Sequence, residues 1–315
     1  MCKIIHFKDL ECKHRWARVV RPCTHGTGFS DCPSFTDPNY VRGTPRAYIA
    51  RQAGSNLFDE MELSTRDTSH VPYTRVYEPS EDSFLLLDTL SSPSETSFLT
   101  SRLASPASPS PLVVEIGPGS GVVLAFVTAH AKSLLGTSSI LSLGIDANRF
   151  ACAATTLTTA KAISSSSSSS EPGFGFYLDT LQGDLTTPLR LNQVDVLIFN
   201  PPYVPTPSLP SLLLPGEKNI SRFEQDSHLL ELSYAGGKDG METTDRLLSQ
   251  LPGILSPRGC AYLLLCAQNF PDKVKAEIVE RFGGDDGWRA ETVGTSGRQA
   301  GWEKLQIVRI WRDYV

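Results

Sequence analysis

The 315-residue chain has no apolar run of 18 residues, which excludes an ordinary membrane span. It also lacks an apolar leader. Lys3, Lys8, Asp9, Glu11, Lys13, Arg15 and Arg18 crowd its first twenty residues, so a secretory signal peptide is not expected. There is no excess of basic charge. The 29 Lys and Arg stand against 34 Asp and Glu, a net charge of −5, which makes a poor general binder of phosphate backbones. Cysteines are few, seven in all, and none stands in a C-x2-C pair. In a chain without a leader they read as thiols or metal ligands rather than disulfides, and the compartment reads as cytoplasmic, with the nucleus also open. There is no internal repeat. G-x-G-x-x-G is absent too, which removes the main fingerprint of a dinucleotide site.

What is present is enough for a sizeable core: 40% apolar and 20% charged residues. The charge divides the chain. Residues 1–75 carry 11 Lys/Arg against 8 Asp/Glu, and residues 76–315 carry 18 against 26. The first stretch is rich in Cys, His, Pro and Arg and has no sustained period. It reads as an N-terminal extension, residues 1–75, in front of a catalytic domain, residues 76–315. Residues 76–90 read as a helix with Pro79 in its first turn, and residues 91–111 as a Ser/Pro linker loop.

From residue 112 the pattern alternates. Strands are expected at Leu112–Ile116, Ile140–Ile145, Phe174–Leu181, Val194–Phe199, Cys260–Cys266, Trp288–Val293 and Leu305–Trp311. Helices are expected at Val122–Ala131, Arg149–Ala162, Asp239–Leu251 and Pro271–Phe282. This predicts an α/β fold: a mostly parallel seven-stranded sheet with an antiparallel C-terminal strand and helices on both faces. Ser164–Ser170 reads as a disordered loop, and the acidic run Glu217–Glu231 as a solvated loop or helix.

Glu115-Ile116-Gly117-Pro118-Gly119-Ser120-Gly121 follows the first strand and opens a helix. Glycines there allow a sharp turn and let a ligand approach with no Cβ in the way. The alternative is a tight turn that holds nothing. Glu115 ends an apolar strand and needs a partner, either a ligand ammonium or the loop backbone. Asp146 ends the second strand and suits both ribose hydroxyls of a nucleoside, or a helix cap. Asp184 follows the third strand and suits an adenine amino group, or a turn. Three acids at three strand ends converge on one crevice and favour an adenosine-containing ligand.

Asn200-Pro201-Pro202-Tyr203 is the sharpest signal. Two prolines fix φ twice and remove two N–H donors, so the carbonyls there remain as rigid acceptors. Asn200 adds a side-chain acceptor, and Tyr203 a flat face. The set suits a planar NH2 group, which donates two in-plane hydrogen bonds. Held so, its nitrogen is oriented for attack on a methyl group. The alternative is a Pro-rich turn after a strand.

Together with Val76-Tyr77-Glu78-Pro79-Ser80-Glu81-Asp82-Ser83, Gly183-Asp184-Leu185-Thr186, Gly236-Gly237-Lys238-Asp239-Gly240 and Arg298-Gln299-Ala300-Gly301-Trp302-Glu303, these motifs carry a resemblance. Over about 240 residues the chain resembles the HemK/PrmC-like class I S-adenosylmethionine-dependent methyltransferases with a Rossmann-like fold. More closely, it resembles the eukaryotic and archaeal catalytic subunits that methylate the glutamine amide of the Gly-Gly-Gln motif in the class I translation release factor. The resemblance implies that Ser83, Glu115, Gly117, Gly119, Asp146, Asp184, Leu185 and Asn200 contact S-adenosylmethionine. Asn200, Pro201, Pro202 and Tyr203 would hold the substrate amide, with Asn200, Pro201 and Tyr203 as the catalytic set. Tyr77, Glu78 and Pro79 would border the pocket. A small zinc-binding activator subunit in a heterodimer is implied as well.

The extension lies outside the resemblance. Cys2, Cys12, His14, Cys23, His25 and Cys32 could supply a tetrahedral zinc site, or be free thiols on a loosely ordered appendage. No metal is expected in the catalytic domain. Cys152, Cys260 and Cys266 read as buried apolar residues, His130 and His228 as structural, and Trp288, Trp302 and Trp311 as packing. A nucleic-acid amino methyltransferase acting on adenine or guanine shares the Asn-Pro-Pro-Tyr logic. The acidic catalytic stretch, with no basic recognition domain, favours a protein substrate.

Overall fold

The computed structural model describes residues 3–8, 15–21, 67–105, 107–166, 173–210, 222–282, 287–297 and 304–313. The chain forms two compact units, Met1–Asp59 and Glu60–Val315. In the first, β1 (Lys3–Lys8) pairs antiparallel with β2 (Arg15–Arg21). All six zinc candidates, Cys2, Cys12, His14, Cys23, His25 and Cys32, lie outside the described residues.

The second unit is built on seven strands: β3 (Leu112–Ile116), β4 (Leu141–Asp146), β5 (Phe176–Gln182), β6 (Val194–Phe199), β7 (Leu255–Cys266), β8 (Trp288–Thr295) and β9 (Leu305–Arg312). Their order is β5-β4-β3-β6-β7-β9-β8. The first five neighbours pair in parallel, and β9 runs antiparallel between β7 and β8. β6 is buried along its whole length, as its apolar sequence, broken only by the ion-paired Asp195, demands of a strand covered on both faces.

The helices are α1 (Glu81–Leu90), α2 (Pro93–Leu103), α3 (Val122–Ala129), α4 (Ala131–Leu135), α5 (Arg149–Ser166), α6 (Arg222–Tyr234), α7 (Glu242–Ile254) and α8 (Pro271–Phe282). Alternate strand residues divide the core. Val113, Val196, Ile198, Tyr262 and Leu264 pack with α1, α2, α3 and α4. Val114, Ile145, Leu197, Leu263 and Val308 pack with α7 and α8 on the other face. The expected mixed sheet with helices on both faces is therefore present.

Several expected elements differ. Residues 91–111 are not a loop throughout, because α2 occupies Pro93–Leu103. Ser92 caps it by accepting from the Glu95 N–H at 3.4 Å, and Pro93 takes the first helical position. Leu99 and Leu103 are buried. Buried Glu95 receives two hydrogen bonds of 2.8 Å from Arg309 and one of 2.8 Å from the Tyr262 hydroxyl. Truncating one side of such a buried pair costs roughly 3–5 kcal/mol.

α1 begins at Glu81 rather than Val76, since the position before Pro79 is barred from helical geometry. β7 begins five residues early, held by Ser256 and Arg258 bonding to buried Asp195 at 2.6 and 2.8 Å. α5 continues through Ser166, its serines bonding back to carbonyls one turn earlier; the rest of the serine run lies outside the described residues. The acidic run contributes α6. Residues 67–75, assigned by sequence to the extension, belong to the second unit: Val71 and Tyr73, with the adjoining Val76, meet Phe150, Ala151 and Ala154 of α5. Cys260, Cys266, Trp288 and Trp311 are buried as expected, whereas Cys152 is only partly so, and Trp302 lies outside the described residues.

Candidate active site

The carboxyl ends of β3, β4, β5 and β6 share one edge of the sheet, and most of the singled-out residues stand there. Gly117, Gly119 and Gly121 all have left-handed φ, at +62°, +57° and +84°. The turn is held by Gly117 N–H donating to the Ile145 carbonyl at 2.8 Å, and by Thr155 and Thr158 of α5 donating to the Gly119 and Ser120 carbonyls at 3.2 and 2.6 Å. Around Gly119 a side chain would meet nothing within 4 Å among the described residues. The turn thus borders open space.

Glu115, the last residue but one of β3, is 2% exposed. Burial pushes its carboxyl up to about 8. The Leu124 N–H opposes that rise, and the nearby Asp146 charge adds to it. Its Oε2 has no hydrogen-bond partner among the described residues. Such an orphan costs roughly 1–3 kcal/mol, which a ligand donor would recover. Asp146 accepts from the Asn148 N–H at 2.8 Å and from the Gly119 N–H at 3.2 Å. Burial raises it to about 6, against those two bonds. Each of its oxygens keeps a further lone pair.

Asp184 lies just past the end of β5, and its carboxylate has a partner of its own. Its Oδ2 accepts from Arg246 of α7, leaving Oδ1. Leu185 beside it is buried with φ at +50°, a region that costs a non-glycine residue roughly 1–2 kcal/mol. Ser83 is buried, and its hydroxyl donates to Asp82 at 3.2 Å. His130 packs against Phe126 with ring centres 5.1 Å apart and planes tilted by 57°, and His228 sits 3.9 Å from Glu231.

Asn200 follows β6 directly. Its Nδ2 donates to Asp82 at 3.1 Å, and its buried Oδ1 has no hydrogen-bond partner among the described residues. Pro201 is buried; Pro202 and Tyr203 are half-buried, and Tyr203 packs against the α1–α4 face of the core. The loop backbone is clamped from behind. Asn269 donates to the Tyr203 carbonyl at 3.1 Å and to the Asp239 carbonyl at 3.0 Å, while accepting from the Cys266 N–H at 2.8 Å. A side chain on Gly240, at φ +69°, would overlap the Tyr203 carbonyl. The Gly236–Gly240 turn is thus the close-fitting back of the Asn-Pro-Pro-Tyr loop. Sequence reasoning missed Asp82 as a partner of Asn200, Arg246 as a partner of Asp184, and Asn269. Each acts on a residue far along the chain, and no local pattern marks it.

No protein-family model matches the chain. It is 34% identical over 241 residues to Methyltransferase HEMK2 of Homo sapiens, covering 76% of this chain and 92% of that protein. It is 33% identical over 254 residues to the eRF1 methyltransferase catalytic subunit mtq2 of Schizosaccharomyces pombe, covering 79% and 96%. Among solved structures it is similar to the E. cuniculi Mtq2–Trm112 complex responsible for methylation of the eRF1 translation termination factor. That likeness has a TM-score of 0.43 at 20% identity and covers 76% of this chain and 99% of that one.

Proposed function

Since the chain belongs to the family of release-factor glutamine methyltransferases that includes HEMK2 and mtq2, we propose a specific division of its crevice: the glycine turn and its acids for the methyl donor, the Asn-Pro-Pro-Tyr loop for the glutamine amide. The chain is an enzyme that methylates the N5 of a release-factor glutamine. The observation that carries the division is the pair of buried oxygens without partners, Glu115 Oε2 and Asn200 Oδ1.

S-adenosylmethionine fits the first half. Glu115 Oε2 would accept from its ammonium, and the remaining lone pairs of Asp146 would take its ribose hydroxyls. Gly117 and Gly119 would leave it room, Asp184 Oδ1 and Leu185 would hold its adenine, and Ser83 and Asn200 would complete the set. When bound, it supplies a methyl group on a positively charged sulfur. At the second half, Asn200 Oδ1 and the Pro201 carbonyl accept the two hydrogens of the glutamine amide, and Tyr203 lies against its face, with Pro202 keeping the loop rigid. Held between acceptors, the nitrogen would keep its lone pair directed at the methyl carbon; as the N–C bond forms the methyl–sulfur bond breaks, its electron pair stays on sulfur to leave neutral S-adenosylhomocysteine, and one amide proton passes to water.

Asn200→Ala should leave the thermal midpoint near that of wild type while turnover falls by at least about 100-fold. Turnover within threefold of wild type would remove Asn200 from the reaction.

A small zinc-binding activator subunit is the proposed partner. Its docking site is β5, the outer strand of the sheet, where Phe176, Leu178 and Leu181 are exposed. Leu157 of α5, the helix packed beside β5, is exposed too. An exposed apolar edge strand is a template for another chain, and a partner strand would complete its pairing.

A further inference from the structure

An asparagine amide has one donating end and one accepting end, and its outline alone does not decide which faces a substrate. At Asn200 a neighbour decides. Asp82, the second residue of α1, is 3% exposed and 118 residues away in sequence. Its Oδ1 is committed to α1: it accepts from the Ser83 N–H at 2.6 Å and from the Ser83 hydroxyl at 3.2 Å. That leaves Oδ2, which accepts from Asn200 Nδ2 at 3.1 Å. A carboxylate oxygen in that place takes a donor, so the amide turns its NH2 to Asp82 and its carbonyl to the other side. That carbonyl is the buried oxygen without a partner among the described residues.

We propose that Asp82 is a positioning residue for methyl transfer: it sets the polarity of the Asn200 amide so that an acceptor, not a donor, meets the substrate NH2. The inference rests on the glutamine-amide reading of the crevice. Without Asp82 the two orientations of Asn200 would differ little, and half of them would face the substrate with two hydrogens against two hydrogens.

The competing role is purely structural, with Asp82 serving only the first turn of α1. Two substitutions separate the roles because they rank oppositely. Asp82→Asn keeps an oxygen for the Ser83 N–H, so α1 is largely preserved. However, it places an NH2 against Asn200, which must then turn over and offer its own NH2 to the substrate. Asp82→Ala loses the bond to α1 but leaves Asn200 free to take either orientation.

The experiment uses the full chain co-expressed with its proposed activator. It measures turnover on release factor, S-adenosylmethionine affinity by calorimetry and thermal midpoint, with each variant assayed well below its own midpoint. We expect Asp82→Asn to lose roughly 100-fold in kcat and Asp82→Ala only about twofold, while the midpoint falls further for Asp82→Ala. Calorimetry should show both variants still binding S-adenosylmethionine. Turnover that follows the stability order, with Asp82→Asn near wild type and Asp82→Ala worse, would overturn the inference alone. No transfer by the wild-type chain would overturn the glutamine reading, and this inference with it.

Discussion

Glu115 shows how a single buried carboxylate ties site chemistry to stability. In the ligand-free fold its carboxyl is pushed up to about 8 from 4.5, mainly by burial. Between those values the folded chain holds a proton that the unfolded chain has released. The contribution of Glu115 to stability is therefore full below about pH 4.5 and falls as pH rises toward 8. Asp146, raised to about 6 from 3.8, adds the same sign over its lower window. The thermal midpoint of the ligand-free protein should accordingly drop between pH 6 and 8, and Glu115→Gln should flatten that drop. An equally steep profile in Glu115→Gln would contradict this origin. A ligand ammonium favours the charged carboxylate, so cofactor affinity should rise over the same pH interval. The type of each site residue was legible from sequence because strand ends, glycines and prolines are local signals. The partners were not: the Asp82–Asn200 and Asp184–Arg246 contacts join residues that only folding brings together.

At the scale of elements, strands were read more securely than helix ends. β3 and β6 match expectation because largely apolar runs, each with a single carboxylate, beside a glycine turn and a proline pair leave little choice. α2 was missed because its Ser and Pro content looks like a linker. Yet Ser92-Pro93-Ser94-Glu95 is a cap, a first-turn proline and an acidic third position, a start signal followed by Phe98, Leu99 and Leu103. What holds α2 down is Arg309 on β9, which stacks on Phe98 at 3.8 Å while bonding Glu95, and no local window contains that pairing. α7 starts late because Asp239 and Gly240 have left-handed φ and fold into the turn behind the Asn-Pro-Pro-Tyr loop. The outer strand β5 carries the prediction at this scale. Phe176 is 66% exposed, so Phe176→Asp should cost the fold little yet abolish co-purification with the proposed activator. Undiminished co-purification would move the proposed interface off β5.

At the scale of the whole molecule, the division of charge and the division of structure run close together. Net charge is −5, with the acidic excess in the stretch that holds the crevice. The Met1–Asp59 unit contributes none of the residues assigned to the crevice. Family membership extends over most of the chain, and the crevice offers acceptors for a planar NH2 group. Acceptors of that kind suit an adenine or guanine amino group as well as a glutamine amide, so the choice of substrate is the claim most worth measuring. The decisive measurement is transfer of label from S-adenosylmethionine, by the full chain co-expressed with its proposed activator, to three acceptors: release factor, release factor with the Gly-Gly-Gln glutamine replaced, and duplex DNA. The account predicts label on the first alone. Label on DNA but not on release factor would contradict it.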